Sequence, residues 1–148
     1  MTIFDGAMLF VAGPGAIVKA GYRDDRYRVL ARYPVPDDLK GLSGQNDLLH
    51  TGDGWWYLTA TPGPIARARS LEGFSRGRYE VVSGQLGLRG TPYYLSYIDG
   101  RYYVPQINQS SGIVSFIHRD GRIADLRVLY DFGPPTPADA KRRAIRPE

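Results

Sequence analysis

Apolar and aromatic positions in this chain fall in short runs of about five to seven residues, each closed by a turn, with no sustained 3.6-residue period. Runs of this length, rich in β-branched and aromatic residues and punctuated by Gly, predict β-strands. A first group of runs covers residues 1–4, 7–13, 16–22 and 26–33, and a second covers 47–52, 55–61, 65–71 and 78–83. A third covers 92–98, 101–107, 113–119 and 122–132. Asp-Gly pairs at 99–100 and 120–121 suit the type I′ hairpin turn, in which both residues need positive φ. Pro105 falls inside a predicted strand, where it removes a ladder hydrogen bond, and a bulge would accommodate it.

The three groups repeat. Asp5-Gly6, Asp53-Gly54 and Asp99-Gly100 recur at spacings of 48 and 46. A shift of 48 places Phe10 on Leu58, Pro14-Gly15 on Pro62-Gly63 and Ile17 on Ile65 without a gap. A shift of 46 places Gly41-Leu42 on Gly87-Leu88, Leu49 on Leu95 and Trp56-Tyr57 on Tyr102-Tyr103. Four strands per repeat at this period resemble β-propeller blades, and the loose Asp-Gly hairpins are similar to those of the gluconolactonase and NHL types. The resemblance spans residues 1–132, with blades at about 1–33, 45–83 and 91–132. The expected fold is therefore all-β and propeller-like, with three four-stranded antiparallel blades. Closed propellers use about 4–8 blades, so the resemblance implies a two-fold homodimer that completes six. A fragment of a longer propeller and a closed three-bladed domain are the other options.

Composition narrows the chemistry. The chain has 148 residues, enough for one domain, with 43% hydrophobic residues. It has no Cys and two His, which excludes a disulfide scaffold, a thiolate metal site and a cysteine nucleophile. The net charge is +4, and part of it lies in the Pro-containing tail at 133–148 with Lys141, Arg142, Arg143 and Arg146. That excess reads as a solvated basic surface, and nucleic acid is not the expected partner. The apolar stretch at 7–18 follows a segment that contains Asp5 and no positive charge, and it is broken at Gly13-Pro14-Gly15, so it reads as strand–turn–strand and not as a signal sequence. No stretch reaches the ~18 apolar residues that span a bilayer. The expectation is a cytoplasmic protein with no membrane partner.

Candidate site residues cluster where inner strands would meet a channel mouth. Blade two offers Gln45, Asn46, Asp47 and His50, and blade three offers Tyr94 and Tyr97. Trp55 opens the strand expected at 55–61, whose faces alternate Trp55, Tyr57, Thr59 and Trp56, Leu58, Ala60. An aromatic face beside polar groups suits a sugar ring, although inter-blade packing explains the same residues. The leading expectation is a non-catalytic binding module for a small polar or carbohydrate ligand, or a protein partner. The gluconolactonase resemblance implies an alternative: a metal-assisted lactonase or other hydrolase. There Asn46 and Asp47 hold a divalent metal such as calcium and His50 is the catalytic base. Asn46 and Asp47 also read as turn residues bonding their own backbone, and His50 as a structural residue. A third reading is a structural scaffold whose basic tail recruits an acidic partner. His118 has no counterpart in the other repeats and is expected at the surface.

Overall fold

The computed structural model describes residues 2–12, 15–40, 45–61, 63–88, 91–107 and 112–131. Gly41-Leu42 of the repeat match and the basic tail at 133–148 lie outside the described residues. Among the described residues the strands form three small antiparallel sheets. The first contains β1 (Thr2–Phe4), β2 (Ala7–Ala12), β3 (Ala16–Arg23) and β4 (Arg26–Pro34). The second contains β5 (Gln45–His50), β6 (Trp56–Thr61), β7 (Ile65–Ala68) and β8 (Glu80–Val81). The third contains β9 (Thr91–Pro92), β10 (Ser96–Ile98), β11 (Arg101–Ile107), β12 (Gly112–Arg119) and β13 (Arg122–Asp131). Each sheet is a meander of sequence neighbours, and β9 and β10 together form one interrupted strand along β11. No helix is long and apolar enough to cross a membrane among the described residues.

Turn chemistry explains much of this layout. Asp5-Gly6, Asp99-Gly100 and Asp120-Gly121 have positive φ at both residues, as a type I′ turn requires. Asp24-Asp25 adopts the same signs without glycine, at 51° and 57°. Asp53-Gly54 behaves differently, because only Gly54 has positive φ. Here five residues separate the paired His50 and Trp56, and the Gly54 amide donates to the Thr51 carbonyl at 3.0 Å.

That longer turn shifts the register of the inner strand. Asn46 pairs with Ala60, and Pro92 pairs with Gln106, so the shift of 46 holds at this end. At the other end His50 pairs with Trp56, whereas Tyr102 pairs with Tyr97 and not with Ser96. Each inner strand therefore carries one extra residue, in the turn of the second sheet and at 93–95 in the third. The second position lies opposite Pro105, whose carbonyl accepts from the Tyr93 amide at 3.0 Å. Pro105 has no N–H to offer, and the facing strand bulges there, as a proline in a ladder demands.

The core lies in two seams. Leu9, Ile17, Leu48, Trp56, Leu58 and Phe74 fill the seam between the first and second sheets. Tyr57, Ile65, Val82, Tyr102, Val104 and Phe116 fill that between the second and third. The second sheet is central, so both of its faces are buried and β6 sends alternate side chains to opposite seams. Each fully buried large side chain contributes roughly 1.5–3 kcal/mol. The first and third sheets expose most of their last strands, β4 and β13, including Tyr27, Val29, Val128 and Tyr130.

One element departs from the all-strand expectation. A short helix, α1 (Leu71–Ser75), replaces the end of the strand expected at 65–71 and delays the one expected at 78–83, which shrinks to β8. Ser70 caps it by accepting from the Gly73 amide at 3.1 Å. Leu71 and Phe74, three apart, share its buried side. Gly73 allows the close approach, since a Cβ there would lie 3.0 Å from both the Ala68 Cβ and the Arg78 carbonyl.

Candidate functional site

The β6–β7 hairpin builds one wall of a concavity. Tyr57 pairs with Arg67 and Trp56 with Ala68, so Trp55, Arg67 and Arg69 project on one face. That face is the second seam, and alternation along β7 puts Arg67 next to Ile65 in apolar surroundings. Its side chain is only 3% exposed. Arg67 Nε and Nη2 donate to Glu80 Oε2 at 2.9 and 2.8 Å, and Nη2 also donates to the Gly121 carbonyl of the third sheet. Nη1 is buried without a hydrogen-bond partner. Leaving a buried donor unpaired costs about 1–3 kcal/mol, more for a charged group.

Trp55 holds two guanidiniums at once. The central carbon of Arg67 lies 4.3 Å from its ring centroid and that of Arg69 lies 3.8 Å away. Both distances are in cation–π range. Trp55, Arg67, Arg69 and Arg78 line a cavity of about 480 Å³, completed by Ser70, Gly73, Tyr79 and Glu80. A neighbouring cavity of about 410 Å³ shares Arg69 and Ser70 and reaches Phe4, Lys19 and Trp56.

The titratable groups of the cavity are held away from neutrality. Burial by itself raises the Glu80 carboxyl, but hydrogen bonds from Arg67 and Gln85 outweigh it and keep the group below its usual range. The Tyr79 hydroxyl is pushed up, mainly by donating to Asp38 Oδ2 at 2.7 Å. Glu80 thus stays ionised and Tyr79 protonated near pH 7.

The candidates named from sequence are distributed over separate places. Gln45 and Asn46 lie on β5, and their side chains lie outside the described residues. Asp47 Oδ1 accepts from the Leu48 amide at 2.9 Å, a bond to adjacent backbone. Tyr94 is exposed and packs edge-on against Tyr93 at 4.3 Å. Its hydroxyl is pushed up chiefly by the hydrogen bond to Tyr93, with a smaller effect from Asp47. His50 sits between Phe4 at 4.3 Å and Trp56 at 4.4 Å, and burial lowers its pKa against the opposing pull of Asp53. Tyr97 packs on Tyr102 at 4.7 Å in the second seam. Only Trp55 lines the larger cavity.

His118 corrects an expectation. It is partly buried, bonds the Tyr57 hydroxyl and packs on Phe116 at 5.3 Å and Tyr102 at 5.0 Å. Two residues beyond Phe116 on β12, it shares the face that enters the second seam.

The gluconolactonase resemblance implies a metal, and its fit can be examined. No group of three or more His, Asp or Glu side chains is placed to hold a metal among the described residues. Asp47, the described member of the implied pair, directs one oxygen to backbone. The described side chains do not compose the implied ligand set.

Arg67, Arg69, Arg78 and Tyr79 were not among the residues singled out from sequence. Their signal is Ala66-Arg67-Ala68-Arg69, which places two arginines on one face of a strand beside Trp55. No family model matches the chain, and neither a curated protein nor a solved structure matches it.

Proposed function

We propose that the chain is a non-catalytic binding module built from propeller-like blades, and that it holds a small polar ligand in the Trp55 cavity. The observation that carries this is the Arg67 guanidinium, buried at the cavity with one nitrogen unpartnered. The volume is within the range of small-molecule sites. The lining groups bind and orient, and the Glu80 and Tyr79 pKa values move away from neutrality, where a general acid or base is most effective. The meander sheets stacked in sequence order support the blade reading. Closure with a second copy into six blades remains part of this proposal.

Tryptophan fluorescence tests the site. Trp55 is partly exposed at the cavity, while Trp56 is buried at 6% exposure. Ligand binding should change emission in the natural chain and leave Trp55→Phe unchanged. A response that survives Trp55→Phe would place the ligand elsewhere.

A further inference from the structure

We infer that the ligand of the Trp55 cavity is a small phosphate monoester, an inference that rests on the binding-module reading above. The charge around the cavity is unbalanced. Arg67, Arg69 and Arg78 converge there, and Glu80 is the one carboxylate lining it. Glu80 is engaged by Arg67. The carboxylates nearby are also occupied: Glu72 pairs with Arg76 at 2.6 Å, Asp38 accepts from Tyr79, and Asp53 accepts from Thr51. Arg69 donates to a single backbone carbonyl, that of Asp53, at 3.3 Å. The Arg78 guanidinium has no ion pair or hydrogen bond among the described residues.

Two uncompensated positive charges, Arg69 and Arg78, therefore line one space, with the buried Arg67 guanidinium in its wall. A phosphate monoester carries about −1.5 to −2 charges at pH 7 and three acceptor oxygens, which matches the excess in sign and size. Guanidinium forks bind such oxygens with defined geometry. The Trp55 and Tyr79 rings supply apolar wall for the organic part of the ester.

The test titrates the full chain with phenyl phosphate, inorganic phosphate and phenyl glucoside, read by tryptophan fluorescence and calorimetry. The expected result is binding of phenyl phosphate that weakens at least tenfold in Arg78→Gln and in Arg69→Gln. Both side chains are exposed, and unchanged melting temperatures would show that both variants fold. Affinity should also fall as pH drops below about 6, where the phosphate loses its second charge. Equal affinity for inorganic phosphate would overturn the ester in favour of the free ion. Binding of phenyl glucoside without phosphate binding would overturn the charge argument and leave the binding module standing. Silence with all three probes would overturn both. Phosphate binding unaffected by either variant would overturn the location.

Discussion

The Tyr57 hydroxyl meets the His118 imidazole across the junction of the second and third sheets, and their rings stack at 5.6 Å with 13° between planes. The two residues are 61 positions apart, so the contact exists only when the sheets pack. Burial lowers the His118 pKa, and that of His50 in the other seam, below the ordinary 6.5, against a weaker opposing pull from Asp53.

The sign of the resulting pH dependence follows. The unfolded chain takes up these protons at higher pH than the folded chain. The stability they contribute is therefore complete above about 6.5 and is lost as pH falls through the lowered folded values. Thermal unfolding should show a midpoint that declines below about pH 6.5, with the decline much reduced in a His50→Gln, His118→Gln double variant. An equal decline in both proteins would assign the effect to other groups. The lowered carboxyls of Glu80, Asp37 and Asp125 act in a more acidic window.

Arg67 joins two sheets through Glu80 and Gly121. Arg67→Ala should destabilise the protein by about 2–3 kcal/mol in urea unfolding, because it removes both contacts and the packed stem. Arg67→Met keeps the volume and eliminates the unpartnered N–H, so its cost should be smaller. Equal costs would mean that the lost guanidinium contacts, and not the packed stem, dominate at this position.

Gly112 stands where β12 crosses close to β13. A Cβ there would lie 2.3 Å from the Tyr130 carbonyl oxygen, a contact that only backbone movement relieves. Gly112→Ala should cost about 1–3 kcal/mol. Gly84→Ala, with open space around the added carbon, should be near neutral by the same assay. Equal effects would remove the steric explanation.

Ser70 caps α1 and also lines the Trp55 cavity. Ser70→Ala should lower stability by about 1 kcal/mol, measured by denaturant unfolding, whereas Ser70→Asp should retain the cap. A loss equal in both variants would show that the hydroxyl matters for something other than capping.

Solution mass checks the proposed closure. Light scattering across a dilution series should give twice 16.5 kDa if a second copy completes the ring. A stable monomer at every concentration would reject the homodimer and leave the cavity reading unaffected, since all its lining residues come from one chain.

Short-range information explains the agreement between sequence and structure. Asp5-Gly6, Asp99-Gly100 and Asp120-Gly121 specify their turns through their own allowed φ, and the strands beside them follow in the expected places. Pro105 likewise announced its bulge, because a missing N–H is a property of the residue itself. Five-residue α1 escaped detection, since a single turn shows no period. Its Ser70 cap and the Leu71/Phe74 spacing gain meaning only when a seam accepts them.

The chain alone determined the order of strands and turns, the Asp-Gly turns at 99–100 and 120–121 and the repeat of about 46–48 residues, all set by local backbone preference and alternating polarity. Tertiary structure decided which faces became interior. Placing the second sheet between the other two buried both sides of β6 and β7, made Arg67 a seam residue, and drew His118 inward. It also gathered Arg67, Arg69 and Arg78 around Trp55. Sheet stacking brings together residues distant in sequence, and no local pattern encodes which of them will share a space once water has been excluded from the seams.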